Sequence, residues 1–486
     1  MKVVQTSLAI SGLFALLLNP AFAAPSSLNG YVSAYGATGN GTTDDTAAFN
    51  ACLANNVICW VDKLGVYAVN NVIFNNGNRL IGLGVEEYGA DTVATTSSRP
   101  ALVFHSGGGS AVLNVAGVGD GAAIQGLFID CRGANVSGIS GGSYQLTVDE
   151  TTVVNCGTGL GGSGAYTFGA HILNSTFGSN GTGIADITDS FIVNGDFSNN
   201  STNGGIYLGD GIYLGAGSNS NSIVNSRFEW NGGLGLVSYG GAFNNDVSNC
   251  IFDRNDGAGL GLWGVTDFTV SNSNFSRNSR NINHSGSLDH NTQIYMSGSH
   301  KVSITGGSSV VGKDDTGPDI TITPDYVFSF DKGAASTNVS ITGFATSGRY
   351  SATNLTGSFV APVAVEGPEP LVGYNVVGVN DIPNTATVVS VAANPSGGQA
   401  NAAQLSASVN TVAPVSAANA SVKLVGCVPG RQQIVANTGV NAMQVFGANA
   451  DTINGGAAGA GVSQAAGKVA AYVCTGSNNW SRLLSN

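Results

Sequence analysis

The sequence predicts an all-β chain: a right-handed parallel β-helix of about 23 residues per coil, a short N-terminal capping helix and a small C-terminal β domain. Three observations lead there. A phenylalanine-centred pattern recurs through the middle of the chain. Glycine is abundant, 71 of 486 residues, yet 42% of residues are apolar and charged residues are only 9%. Glycine at that level without a collagen period, beside regular β-branched runs, fits a large folded β core rather than low complexity.

Between about residues 120 and 345 one unit repeats: an aliphatic pair, Asn, two variable residues, Phe, two more variable residues, Asn and a Gly-rich turn. It reads Ile172-Leu173-Asn174-Ser175-Thr176-Phe177 and Ile192-Val193-Asn194-Gly195-Asp196-Phe197. Further copies centre on Phe228, Phe252 and Phe275, so the spacings are 20, 31, 24 and 23 residues. Weaker copies lie around Ile129, Val153, Ser309 and Thr346. Three short β runs per unit make one solenoid coil, stacked on the last at roughly 4.8 Å. The phenylalanines should therefore stack inside. Two asparagine ladders follow, 174, 194, 225, 249, 272 and 180, 200, 231, 255, 278, because Asn tolerates the left-handed turn and can bond the next coil. The Gly, Asn and β-branched content excludes a helical solenoid.

The ends differ from this middle. Lys2, the uncharged run Leu8 to Leu18 and the small residues before Ala24 form an export leader over residues 1–23, too short an apolar run to span a bilayer. No other stretch approaches eighteen apolar residues, so no membrane span is expected. The β-helix is assigned to 24–365. Glu366-Gly367-Pro368-Glu369-Pro370 is read as a linker, and 366–486 as a separate β module of unknown role. Seven cysteines in an exported chain suggest the pairs Cys52/Cys59, Cys131/Cys156 and Cys427/Cys474, leaving Cys250 buried and alone. Packed free thiols are the alternative.

A net charge of −12 with 17 basic residues spread thinly excludes a nucleic-acid partner, which needs a basic face. It also disfavours a highly anionic polysaccharide, unless local arginines or a bound Ca²⁺ offset the repulsion. Neutral or weakly acidic glycans fit more easily.

The candidate chemistry sits where the coils vary. The residue after each inward Phe should face outward, which places Glu229 and Asp253 one coil apart, followed by Trp230, Arg254 and Arg277. Paired carboxylates at such spacing suit glycoside hydrolysis, and equally an ion-pair ladder that keeps coils in register. On the Gly-Ile/Leu strands, Ile184, Ile212, Leu236 and Leu260 should point in, whereas Tyr213, Tyr239 and Trp263 point out. Exposed aromatics in a line, with Trp230, suit sugar rings, or simply cover the sheet. The eight-residue excess around Gly205–Gly215 brings Asp210. The long interval after Phe275 brings Arg277, Arg280, His284, Asp289, His290, His300 and Lys301. For elimination, Arg254 and Arg277 would neutralise a uronate, Asp186, Asp210, Glu229 and Asp253 would hold Ca²⁺, and Tyr213 or His284 would serve as base.

The segment Tyr35-Gly-Ala-Thr-Gly-Asn-Gly-Thr-Thr-Asp-Asp-Thr-Ala-Ala-Phe-Asn-Ala51 resembles the N-terminal signature of the pectate-lyase-like superfamily. That group includes rhamnogalacturonase- and epimerase-related proteins and tailspike-like depolymerases. Only Tyr35 and Asn40 depart from its usual form. The resemblance implies that Asp45 or Thr46 caps a helix running to about Leu53, that this helix plugs the open end of the solenoid, and that Asp44 and Asp45 are structural. The coils from about 150 to 280 also resemble the catalytic module of mannuronan carbon-5 epimerases, with Asp186 of Gly183-Ile-Ala-Asp186 where that group keeps an acidic active-site residue. The accompanying Tyr-Gly-Phe-Asp-Pro-His motif is absent: the stretch reads Gly164-Ala-Tyr166-Thr-Phe-Gly169, so that reaction does not carry over. The expectation is a secreted lyase or glycoside hydrolase acting on a polysaccharide, monomer or trimer. The alternatives are a non-catalytic glycan-binding surface protein and a tailspike-like depolymerase.

Overall fold

The computed structural model describes residues 30–484 apart from 62–64, 83–99, 163, 202–208, 281–290, 311, 314–321, 325, 332–333, 335, 348–360, 366–374, 378–388, 406–408, 428–430 and 477. The leader expected at 1–23, the Gly205–Leu208 part of the insertion, and His284, Asp289 and His290 lie outside the described residues.

Three parallel sheets share the solenoid's length, and each coil adds one strand to each sheet. The phenylalanine sheet has twelve strands, from Asn40–Asp44 to Ala345–Ser347. The tyrosine sheet has eleven, from Val72–Ile73 to Ala361–Val365. The valine sheet has twelve, from Ile58–Val61 to Asn375–Val377. Asn375–Val377 pairs in register with Ser340–Thr342, so the solenoid runs past the boundary drawn at 365/366. Glu366 to Pro370, read as a linker, lie outside the described residues. This is the right-handed parallel β-helix expected, with a separate small β domain behind it.

The repeat frame is also the register frame. Ile129, Val153 and Phe177 are direct partners, as are Phe197, Phe228, Phe252, Phe275, Ser309 and Thr346. All five phenylalanines are buried, with consecutive rings stacked at centroid separations of 5.8, 5.0, 4.5 and 4.6 Å. Each such pair adds roughly 0.5–1.5 kcal/mol beyond the area it buries.

The two asparagine ladders do different work. Asn174, Asn194, Asn225, Asn249 and Asn272 all have positive φ, between 47° and 57°, at the corner between the valine and phenylalanine sheets. The second set is fully buried and has ordinary φ. Each Nδ2 of Asn200, Asn231 and Asn255 donates to the Oδ1 of the next rung at 2.9, 2.8 and 2.7 Å, and also to a phenylalanine carbonyl, at 2.9–3.0 Å. Left-handed backbone explains only the first ladder; satisfying buried carbonyls explains the second.

At the start, a helix spans Thr46–Asn55 and sends Ala48, Phe49, Cys52 and Leu53 into the core. Its capping differs from expectation. Asp45 turns back to accept from Thr38 N (2.7 Å) and Gly39 N (3.1 Å), and Asp44 accepts from Thr46 N (3.0 Å). Thr46 Oγ1 accepts from Asn70 N. These side chains stitch the signature loop. The disulfides are Cys52–Cys59, Cys131–Cys156 and Cys427–Cys474. Cys250 is a buried thiol whose pKa burial pushes up to about 12, so it is inert as a nucleophile. The C-terminal module has a six-stranded and a four-stranded sheet around its own core of Trp480, Tyr472, Met443 and Val435.

Candidate functional site

The corner between the phenylalanine and tyrosine sheets separates two groups of candidates. The first group follows the phenylalanine row. Glu229 and Asp253 are in-register neighbours, as the repeat predicts. Neither stands open to solvent: their side chains are 17% and 9% exposed. Glu229 is bonded by Arg227 of its own strand. Asp253 accepts from both Nε (2.9 Å) and Nη2 along one edge of the Arg277 guanidinium, and from Arg254 Nη1 at 2.6 Å. Arg254 and Arg280 also lie over the Trp230 ring, at 4.9 and 4.4 Å from its centre, and Arg280 reaches Asp256. Trp230, Arg254 and Arg277 all sit in the left-handed region, φ 57°, 56° and 51°. The outward direction was right and the exposure was not, because the long arginine side chains fold back across the carboxylates.

The second group rides on the tyrosine sheet. Ile184, Ile212, Leu236 and Leu260 are buried inside it. Between them Ala185, Tyr213, Val237, Gly261 and Tyr295 form one outward row, and Tyr239, Trp263 and Ser297 another. Tyr239 is half exposed; Tyr213 and Trp263 are partly covered. Leu234 and Ala258, from the corner turns, pack with Val237 and Tyr295 against them. Trp263 lies back over its own strand. A β-carbon on Gly261 would come within 2.2 Å of its ring, so Gly261 makes the room. The indole then meets Tyr295 at 5.0 Å.

Asp186 ends the strand before Tyr213, at a corner where later coils place glycine, and takes φ 56° itself. It is buried, and its Oδ1 accepts from Gly215 N at 3.1 Å. Tyr166 reaches across from the preceding coil to accept from Gly217 N at 3.0 Å. From the point where a β-carbon on Gly215 would stand, Asp186 Oδ1 is 2.6 Å away, Tyr213 Cε1 3.3 Å and Tyr166 Oη 3.6 Å. Three side chains from three coils thus converge where only glycine leaves space. Tyr213 has its pKa raised, first by burial and then by Asp186, Tyr239, Asp210 and Tyr166. Asp210, at the entrance to the same strand, is buried and accepts from Leu234 N at 2.8 Å. Among the described residues no group of three or more His, Cys, Asp or Glu is arranged to hold a metal ion.

Sequence reasoning placed Asp186, Tyr213 and Tyr239 but missed Tyr166, which it considered only as a departure from the epimerase motif. Phe168 and Tyr144 were missed as well. They stack at 4.8 Å just upstream on the same side, with Phe168 6.5 Å from Tyr166. Their spacing falls in corner turns, where alternation gives no signal. His300 and Lys301 lie on the valine sheet, away from both groups.

No protein-family model and no curated protein matches this chain. Solved structures do. The Dettilon tailspike protein shares 12% identity over 92% of this chain and 76% of its own, with a TM-score of 0.53. The A-module of the Azotobacter vinelandii mannuronan C-5 epimerase AlgE4 shares 17% over 72% and 96%, at 0.48. A DFA-IIIase from Arthrobacter chlorophenolicus A6 shares 12% over 65% and 95%, at 0.46. The tailspike match carries the fold, a right-handed parallel β-helix. At such identities the function rests on the residues themselves.

Proposed function

We propose that the protein is an exported polysaccharide-degrading enzyme, a glycoside hydrolase that lays its glycan along the outer face of the tyrosine sheet. The observation that carries this reading is the convergence of Asp186, Tyr213 and Tyr166 at Gly215, on the face that presents the outward aromatics. Tyr239 and the Tyr144–Phe168 pair offer π faces to sugar C–H groups before and after that point. Asp186 is the anionic group beside the scissile bond, suited to an oxocarbenium-like transition state. Tyr213 is a neutral phenol whose pKa burial and the nearby Asp186 raise, so it serves as a hydrogen-bond donor to the substrate. The charges acting on Tyr213 are the carboxylates of Asp186 and Asp210. A uronate there would meet like charge, which favours a neutral glycan. In this reading the Arg277–Asp253 pair and the Arg254–Trp230 contact hold coils together, and Glu229 pairs with Arg227 on its own strand.

The test is digestion of a glycan panel, neutral and uronate-containing, with and without EDTA, following reducing ends and the ultraviolet absorbance of unsaturated uronates. Reducing ends without that absorbance are expected, unaffected by EDTA. Absorbance that depends on Ca²⁺ would replace hydrolysis by elimination. The second reading, a glycan-binding scaffold, draws on the bond from Gly215 N to Asp186, which also serves coil register. Binding without any product across the panel would establish it.

A further inference from the structure

A cavity of about 400 Å³ opens on the same outer face, in coils that precede Asp186. It is walled by the polar side chains of Ser110, Asn114, Asn135, Ser137, Ser140 and Thr158. The size lies in the small-ligand range, roughly 300–1,000 Å³. No lining residue is ionisable and none is aromatic. An ion would find no counter-charge. Hydroxyls and carboxamides instead match a ligand that is itself uncharged and rich in hydroxyls.

The wall is built rather than incidental. Asn114 Nδ2 donates to Asn71 (3.0 Å), and its Oδ1 accepts from Ala116 N (3.0 Å) and Ser140 Oγ (3.2 Å). Ser140 Oγ in turn accepts from Val115 N, and Ser137 Oγ donates to Gly161 O at 2.6 Å. Such fixed polar groups orient a ligand at little entropic cost. The floor touches the site already described. A β-carbon on Gly161 would strike Ala185 O at 2.4 Å, and Ala185 adjoins Asp186; Ala165 adjoins Tyr166.

We infer that this pocket is a subsite for one uncharged sugar unit, an end or a side branch of the glycan whose chain continues past Asp186. The inference rests on the proposed glycan site and adds to it: an uncharged unit is required one to three coils upstream of the bond that reacts. Gly162 provides the test. Its backbone needs no positive φ, and a β-carbon there would meet only Ser137 Oγ, at 3.6 Å, so a leucine would enter the pocket without straining the coil.

Isothermal titration of the mature protein with neutral gluco-, xylo- and galacto-oligosaccharides, and with oligogalacturonates, reads it out. Binding of at least one neutral series is expected, weakened ten-fold or more by Gly162→Leu. Asn135→Ala, at an exposed wall position, should weaken it several-fold and keeps the test open if the leucine variant misfolds. Tyr239→Ala probes the aromatic row separately. Binding lost in Tyr239→Ala but intact in Gly162→Leu and Asn135→Ala would overturn the pocket and leave the glycan face standing. Oligogalacturonates that bind and are displaced by Gly162→Leu would overturn the uncharged subsite. No binding by any series would overturn both.

Discussion

The two groups flanking the corner between the phenylalanine and tyrosine sheets each centre on a buried aspartate beside aromatic rings, and they differ in what surrounds it. Around Asp253 the charges answer one another: one carboxylate, two arginines and a tryptophan face covered by guanidinium groups. Around Asp186 the Gly215 amide donates to the carboxylate, and side chains from three coils close on the place where Gly215 carries no β-carbon. A closed network of ion pairs orders a structure and offers a ligand little. A buried acid packed close to a glycine backbone and two phenols is costly for stability and useful for chemistry. Under the proposed function, a buried aspartate therefore reads as architecture in one place and as a reactive centre in the other.

Breaking each side should give opposite phenotypes. The largest effect is expected from Asp186→Asn: turnover on the responsive glycan falls by about 10²–10⁴-fold, with the melting temperature nearly unchanged. Asp253→Asn should do the reverse. It leaves Arg277, whose side chain is 5% exposed, without its counter-charge, at a cost of about 3–5 kcal/mol in denaturant unfolding. Activity per folded molecule should stay near wild type. If Asp253→Asn instead abolishes turnover while remaining stable, the assignments must be exchanged. Tyr213→Phe sharpens the contrast by removing one proton and no bulk, and a rate loss of about 10²-fold is expected. Tyr239→Ala should cost roughly 1 kcal/mol of glycan binding, several-fold in Kd, with little effect on folding.

How far the sequence carried these distinctions follows from what periodicity encodes. Strand register was legible because it is written as a ladder: Phe177 to Phe275, and even the faint copies at Ser309 and Thr346, are true neighbours. Inward and outward faces were legible for the same reason, through two-residue alternation at Tyr213, Tyr239 and Trp263. Exposure was not. Whether Asp253 meets water depends on which way the Arg254 and Arg277 side chains turn, and rotamers leave no trace in spacing. Corners were least legible, because their lengths vary from coil to coil. Tyr166 is brought to Gly217 by such a corner, two coils away, and no local pattern announces it.

The smallest expected effect comes from a third kind of acid, one that neither pairs nor reacts. Asp246 faces outward on the valine sheet between Ser222 and Thr269, and burial alone raises its pKa. A carboxyl whose folded pKa lies above the unfolded value favours the folded state when protonated. Its contribution is fully present below the ordinary aspartate value of 3.8 and is lost as pH rises through the folded pKa. At neutral pH the charged form is therefore a small burden, and Asp246→Asn should raise the melting temperature slightly at pH 7. That gain should vanish below pH 3.8, where the wild-type carboxyl is already neutral. Asp44 provides the opposite sign, since hydrogen bonds from Thr46 lower its pKa, so its share of stability is lost as pH falls. A gain in Asp246→Asn that persisted in acid would mean that packing rather than charge is responsible. It would also remove Asp246 as the neutral reference for Asp186, whose replacement by Asn has to cost activity and leave stability alone.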